Sequence, residues 1–350
     1  MELGLMSFGD SPAHPVTGTA LSHGERLRNL MEEVELADQV GLDVFGVGEH
    51  HRADYAVSSP ATVLATAAGR TKNIRLTSAV TVLSSEDPVR VYQQFATIDQ
   101  LSEGRAEVMV GRGSIIESFP LFGYELEDYN DLFTEKLDLL LKIRDNERVT
   151  WSGKLRAPLH DQAVYPRAYQ DPLPVGIAVG GTPASAVRAG MLGLPMTIAI
   201  IGGQPDRFVP FAELYRRAAR EAGHDPANLK LTINTHGHIA PTMEQAIDET
   251  FPAYKAQMDQ VGAERGWPPM RREQYVAGTS RHGHLMTGTP QDVIDKILYH
   301  HELFGHQRYL MHFGIGAVDH EHVMRSIELF GTVVAPAVRE AVAKREATIA

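Results

Sequence analysis

The chain has 350 residues, 43% hydrophobic and 22% charged, with a formal net charge of -11. That is enough apolar material for a large core, in a length that suits two average domains or one α/β barrel. The acidic balance repels a phosphate backbone and argues against nucleic-acid binding. The lack of cysteine excludes disulfides, thiolate metal sites and thiol nucleophiles. No basic and apolar leader opens the sequence, and no apolar run nears the ~18 residues a membrane span needs. A cytoplasmic protein without membrane association is expected.

The apolar periodicity predicts a strand at 3–8, then a Gly/Pro/Ser/Thr-rich loop. A helix follows, opened by Ser22 and Glu25 as a capping box and closed by Gly41. A short second strand with Val44, Phe45 and Val47 ends in Glu49-His50-His51, three consecutive residues able to move protons or bind charge. Ser59-Pro60 opens a helix running to about Arg70, 74–82 reads as strand three, and Asp87-Pro88 opens the next helix. Strand four, 106–110, runs into Gly111-Arg112-Gly113. Beyond it lie a helix at 132–143 and a long irregular stretch at 146–173 that carries Trp151. Strand five, 175–179, leads through Gly180-Gly181-Thr182-Pro183 into a helix; strand six is 196–201 and strand seven 229–238. Thr242 and Gln245 open a helix with Pro252 as an expected kink. A second insertion covers 265–286, and Gly288-Thr289-Pro290 opens another helix before strand eight at 308–313.

Eight strands alternating with helices predict an α/β fold of the (β/α)8 TIM-barrel type. It would be one domain over 1–350, with insertions near 146–173 and 265–286. An open doubly wound sheet is the alternative, disfavoured because no Gly-x-Gly-x-x-Gly follows the first strand.

In such a barrel the C-terminal strand ends would bring Ser7, Glu49, His50, His51, Arg112, Gly180, Gly181, Gly202, His236, His238 and His312 to one mouth. An imidazole there is a candidate general acid or base, and the pair closing strand two is favoured over merely solvated histidines. The Gly180-Gly181-Thr182-Pro183 turn lets backbone approach a ligand, offers Thr182 as a helix cap and turns free N–H groups towards an anion. Gly288-Thr289-Pro290 has the same wording but lies between strands seven and eight. Arg112 is a permanent cation between glycines, either a phosphate ligand or the partner of an acid such as Glu117. His236-x-His238 sets two imidazoles on one strand face, and with His50 or His312 would make a metal site. No carboxylate stands at a third fixed spacing, so no metal is expected.

Taken in order, these segments resemble the luciferase-like, flavin-dependent monooxygenase superfamily over nearly the whole chain. The matching words are Gly46-Val47-Gly48-Glu49-His50-His51, Thr77-Ser78-Ala79-Val80-Thr81-Val82-Leu83, Asp87-Pro88-Val89-Arg90, Asp99-Gln100-Leu101-Ser102-Glu103-Gly104-Arg105, Gly111-Arg112-Gly113 and Gly180-Gly181-Thr182-Pro183. The resemblance implies a barrel that holds reduced FMN at its C-terminal mouth and oxidises a small organic substrate with O2. A separate NAD(P)H-dependent flavin reductase would supply the cofactor, and the working unit would be a homodimer. By position His50 resembles the family's catalytic histidine, and Ala79-Val80 its non-prolyl cis peptide under the flavin ring. Arg112, Gly180, Gly181 and Thr182 resemble its flavin-phosphate site, and the Trp151 segment would be the lid. Light-emitting members carry a cysteine where Gly111 stands, so light emission is not implied. Relatives often carry a further arginine after strand four; here none lies between Arg112 and Arg144, Asn130 being nearest, which leaves F420 open as the cofactor. The alternatives are an F420- or FMN-dependent hydride-transfer oxidoreductase, a metal-dependent hydrolase using His236, His238 and His50, and a non-catalytic flavin-binding protein.

Overall fold

Neighbouring strand positions differ in kind: Gly4, Gly46, Thr77, Glu107 and Asn234 are small or polar, and Leu5, Phe45, Leu76, Val108 and Ile233 beside them are large and apolar. A sheet that curls shut uses this alternation to separate lumen from wall. The computed structural model, which describes residues 1–113 and 116–349, shows that closure. Eight parallel strands form the barrel: β1 (Glu2–Ser7), β2 (Val44–Val47), β3 (Arg75–Ser78), β4 (Ala106–Gly111), β5 (Val175–Val179), β6 (Met196–Ile200), β7 (Leu231–Ile239) and β8 (Arg308–His312). They pair in that order, and β8 closes on β1 with Met6 opposite His312. Leu5, Phe45, Leu76, Val108, Ile177, Ile198 and Ile233 face the surrounding helices as one large apolar cluster. Met6, Val44, Met109 and Leu310 pack inside with Ala79. Gly4 is small for the same reason: a Cβ there would stand 2.1 Å from the Val44 carbonyl oxygen of the neighbouring strand.

The helix starts follow the local chemistry. Ser22 and Glu25 form the expected capping box of helix His23–Gln39. Asp87 accepts from the N–H groups of Val89 and Arg90 at the start of Pro88–Leu101, and Thr289 with Asp292 caps Pro290–Phe304. Helix Met243–Arg265 runs continuously through Pro252.

An ionic cluster fills the N-terminal end of the lumen. Glu107 meets Arg75 and Arg308 at 2.6 Å each, and Arg308 and Lys230 hold Glu2 at 2.6 and 2.8 Å. Burial works against ionising Glu107, but Arg308 and then Arg75 outweigh it and hold its pKa at about 2.

Two expectations are corrected. The third strand is not continuous over 74–82. It stops at Ser78 and resumes as Thr81–Val82, which pairs with β4, and the Ala79-Val80 peptide between them is cis. The 146–173 stretch is not irregular throughout, nor is it a lid. It contains an antiparallel hairpin, Arg148–Trp151 with Leu159–Ala163. Trp151 is buried against the wall and donates its indole N–H to Asp138 at 2.8 Å. Gln93, Gln100 and Glu135 on the outer helices bind the same segment, so its polar groups are satisfied outside the barrel.

Candidate active site

The C-terminal mouth opens into a cavity of about 350 Å³. Its floor is apolar, made by Met6, Ala79, Val80, Met109, Ala178 and Leu310, and no residue of 146–173 lines it. Two polar groups line the same cavity, one following β2 and the other following β4 and β5.

The first contains His50, three residues beyond the end of β2. Its ring lies between Phe8, edge-on at 4.8 Å, and Tyr55, tilted at 4.3 Å between ring centroids. Nδ1 is 3.0 Å from Glu117 Oε1, and the same oxygen accepts the His51 backbone N–H at 3.3 Å. Burial works to raise the Glu117 pKa, but the hydrogen bond from His50 and those from backbone prevail and lower it. An ionised carboxylate only accepts, so Nδ1 carries the proton in this pair. His51 turns to Glu49 instead, 2.8 Å from Nε2 to Oε1, and this hydrogen bond raises the His51 pKa against the effect of burial. The other Glu49 oxygen accepts the Val82 N–H at 3.0 Å, so the carboxylate ties the end of β2 to the resumed third strand.

In the second, Arg112 donates to Asn130 Oδ1 at 2.7 Å and to Thr182 Oγ1 at 3.1 Å, with its guanidinium 5.2 Å above the Tyr129 ring. Glu117 is therefore the partner of His50 and not of Arg112. Thr182 occupies the N-cap position of helix Pro183–Met191, but its side chain makes no capping bond and accepts from Arg112 instead. Gly181 has φ of +129°, a conformation that favours glycine, and nothing lies within 4 Å of a Cβ placed there, so the turn presents open backbone.

The mouth does not gather every residue expected there. Ser7 Oγ accepts from Arg26 and from the Gly9 N–H. Gly202 is exposed and outside the cavity lining. His238 gives both ring nitrogens to Glu249, at 2.7 Å, and Ser326, at 3.0 Å, so it does not converge with His236. His236 and His312 do line the cavity, 5.5 Å apart between ring centroids. Burial, then the neighbouring His312, holds His236 well below the ordinary imidazole range. Among the described residues no group of three or more His, Asp or Glu is placed to hold a metal ion, and no helix is long and apolar enough to cross a membrane. Phe8, Tyr55, Tyr129 and Asn234 also contribute, and the residue pattern singled out none of them. Phe8 alone had a signal, as the last residue of the strand expected at 3–8.

The chain belongs to the luciferase-like monooxygenase family, whose model matches residues 1–307. It is 27% identical over 345 residues to 4-hydroxyprotoasukamycin monooxygenase of Streptomyces nodosus subsp. asukaensis, covering 95% of this chain and 92% of that one. Solved structures share the fold. Monooxygenase RslO1 from Streptomyces bottropensis superposes with a TM-score of 0.83 at 24% identity, over 96% of this chain and 99% of that one. The oxygenating constituent of 3,6-diketocamphane monooxygenase from Pseudomonas putida, solved in complex with FMN, gives 0.76 at 23%, over 96% and 98%. An F420-dependent secondary alcohol dehydrogenase, bound to an F420-acetone adduct, gives 0.74 at 19%, over 97% and 99%.

Proposed function

We propose that the protein is an FMN-dependent monooxygenase that uses reduced FMN and O2 to oxidise a small organic substrate. The carrying observation is the cavity itself: an apolar floor lined by both the His50–Glu117 pair and Arg112 with Thr182. This donor set suits a flat heteroaromatic ring with an anionic tail. Ala79 and Val80 would carry the ring, and Arg112, Gly180, Gly181 and Thr182 the phosphate. Reduced FMN, when bound, supplies the two electrons by which one oxygen atom enters the substrate and the other leaves as water.

The chain's own contribution is position and protons. With Nδ1 committed to Glu117, Nε2 of His50 is the ring nitrogen left to exchange a proton with the reacting oxygen or the substrate. Glu117 fixes the orientation of the ring and which nitrogen faces the cavity. The apolar floor and the Phe8 edge keep bulk water from the reacting centre. The same reading takes an NAD(P)H-dependent reductase as the source of reduced cofactor and a cytoplasmic homodimer as the working unit.

Anaerobic mixing with reduced FMN, then admission of 18O2 with a panel of aromatic and carbonyl substrates, tests the reading. Label in a product supports it; oxidation of FMN without labelled product from any substrate overturns it. The F420 relatives motivate a second reading, hydride transfer on the same barrel. Tighter binding of F420 than FMN, with turnover in the absence of oxygen, would favour that one.

A further inference from the structure

A second guanidinium, that of Arg188, packs on the same helix as Arg112, just beyond the cavity lining. Helix Tyr129–Asp145 repeats its contacts after one turn: Tyr129 and Asn130 serve Arg112, and Phe133 and Thr134 serve Arg188. Arg188 comes from helix Pro183–Met191, one turn beyond the cavity residue Ser185. Its Nη2 donates to Thr134 Oγ1 at 2.9 Å, and its guanidinium lies 5.3 Å from the Phe133 ring centre. The two arginines thus meet the same helix at contact sites one turn (~5.4 Å) apart. Every acceptor they use is neutral, and among the described residues neither forms a salt bridge. Burial and then the like charge of Arg112 depress the Arg188 pKa, so the two cations lie within electrostatic reach of each other.

A pair of adjacent guanidinium groups without an acid is matched by a dianion better than by a monoanion. A phosphate monoester carries about -1.5 to -2 at neutral pH; a diester carries one negative charge. We propose that Arg188 is the second cation of the phosphate site, and that the Arg112–Arg188 pair selects a cofactor ending in a phosphate monoester over one whose phosphate is a diester. The proposal rests on the flavin reading above. The Arg188 side chain would exchange its neutral Thr134 contact for the charged phosphate.

The test is equilibrium binding of oxidised FMN, riboflavin and F420 to the full chain, for the wild type and for Arg188→Met, Arg188→Lys and Arg112→Met. Methionine keeps the apolar stem beside Phe133 and removes the charge; melting temperature checks folding. Arg188→Met is expected to weaken FMN binding about tenfold, the scale of one charge-assisted hydrogen bond. Riboflavin and F420 should change much less, and lysine should restore part of the loss. The proposal is overturned if riboflavin weakens as much as FMN, which makes Arg188 a packing residue. It is also overturned if F420 weakens as much as FMN, or if only Arg112→Met has an effect; in that last case the flavin reading survives. If wild type binds neither FMN nor riboflavin, the flavin reading itself falls.

Discussion

Glu117 reaches His50 from sixty-seven residues away and binds its Nδ1 at 3.0 Å. The loop after β4 thereby sets the orientation and the proton position of a histidine that β2 delivers. His50→Ala should lower the oxidation rate by about 10²–10⁴ while leaving flavin affinity unchanged. Glu117→Gln keeps an acceptor but loses the charge, and should lower kcat by about tenfold with little change in KM. Equal loss of flavin affinity in both variants would mean that the pair supports the cavity and not the reaction.

Asn130 is a neutral acceptor 2.7 Å from the Arg112 guanidinium. Asn130→Asp converts that contact into an ion pair and makes Arg112 less available to an anionic ligand. FMN binding should weaken by about three- to tenfold, from competition worth ~1 kcal/mol, with riboflavin unchanged. Fluorescence titration of both ligands measures the difference.

Glu107 joins Arg75 and Arg308 at the closed end of the lumen. Glu107→Gln leaves Arg308 buried with less compensating charge, and should cost about 3–5 kcal/mol in urea unfolding. The folded pKa of about 2 lies below the unfolded value of ~4.3. The stabilisation is therefore complete above ~4.3 and is lost as pH falls through about 2, where variant and wild type should converge.

His300 and His284 are held neutral, chiefly by burial, at about 3 and about 4. Both folded values lie below the unfolded ~6.5, so the unfolded chain binds the extra protons below that pH. Stability should be steady above ~6.5 and decline as pH falls towards 4, with each group adding up to ~1.4 kcal/mol per pH unit. Denaturation midpoints between pH 7 and 5 measure the slope, and His300→Gln should flatten it by the share of one proton.

Trp151 is tied to Asp138 at 2.8 Å on the outer wall. Trp151→Phe should cost about 1–2 kcal/mol of stability and leave flavin affinity and turnover unaltered. A changed turnover number would restore a gating role for the segment.

The barrel was legible because alternation and capping are local. Ser22 with Glu25, Asp87 before Pro88, and the apolar runs of β1 to β8 each act within a few residues. Strand-end logic likewise placed His50 and Arg112 at the cavity, and the Gly180-Gly181-Thr182-Pro183 turn pointed to Thr182. What it missed depends on tertiary pairing. Nothing near Glu117 says that it serves His50, because the partner arrives through the fold. His238 has the strand-end spacing of a site residue, but Glu249, from the next helix, takes its ring. The Trp151 segment reads as a loop because its hairpin strands are short and one of them, Leu159–Ala163, is mostly polar, while the rest of the segment is held by the outer helices. The pause at Ala79-Val80 has no apolar signature either; only the family resemblance pointed to it.

The pairing of Glu2–Ser7 with Arg308–His312 bears on how the molecule is made. The opening strand leaves the ribosome some three hundred residues before its second neighbour. Throughout that interval a parallel sheet carries a bare edge, which other chains can extend. Until β8 is made the cylinder cannot seal, so a chain truncated before it keeps that edge open to association with other chains.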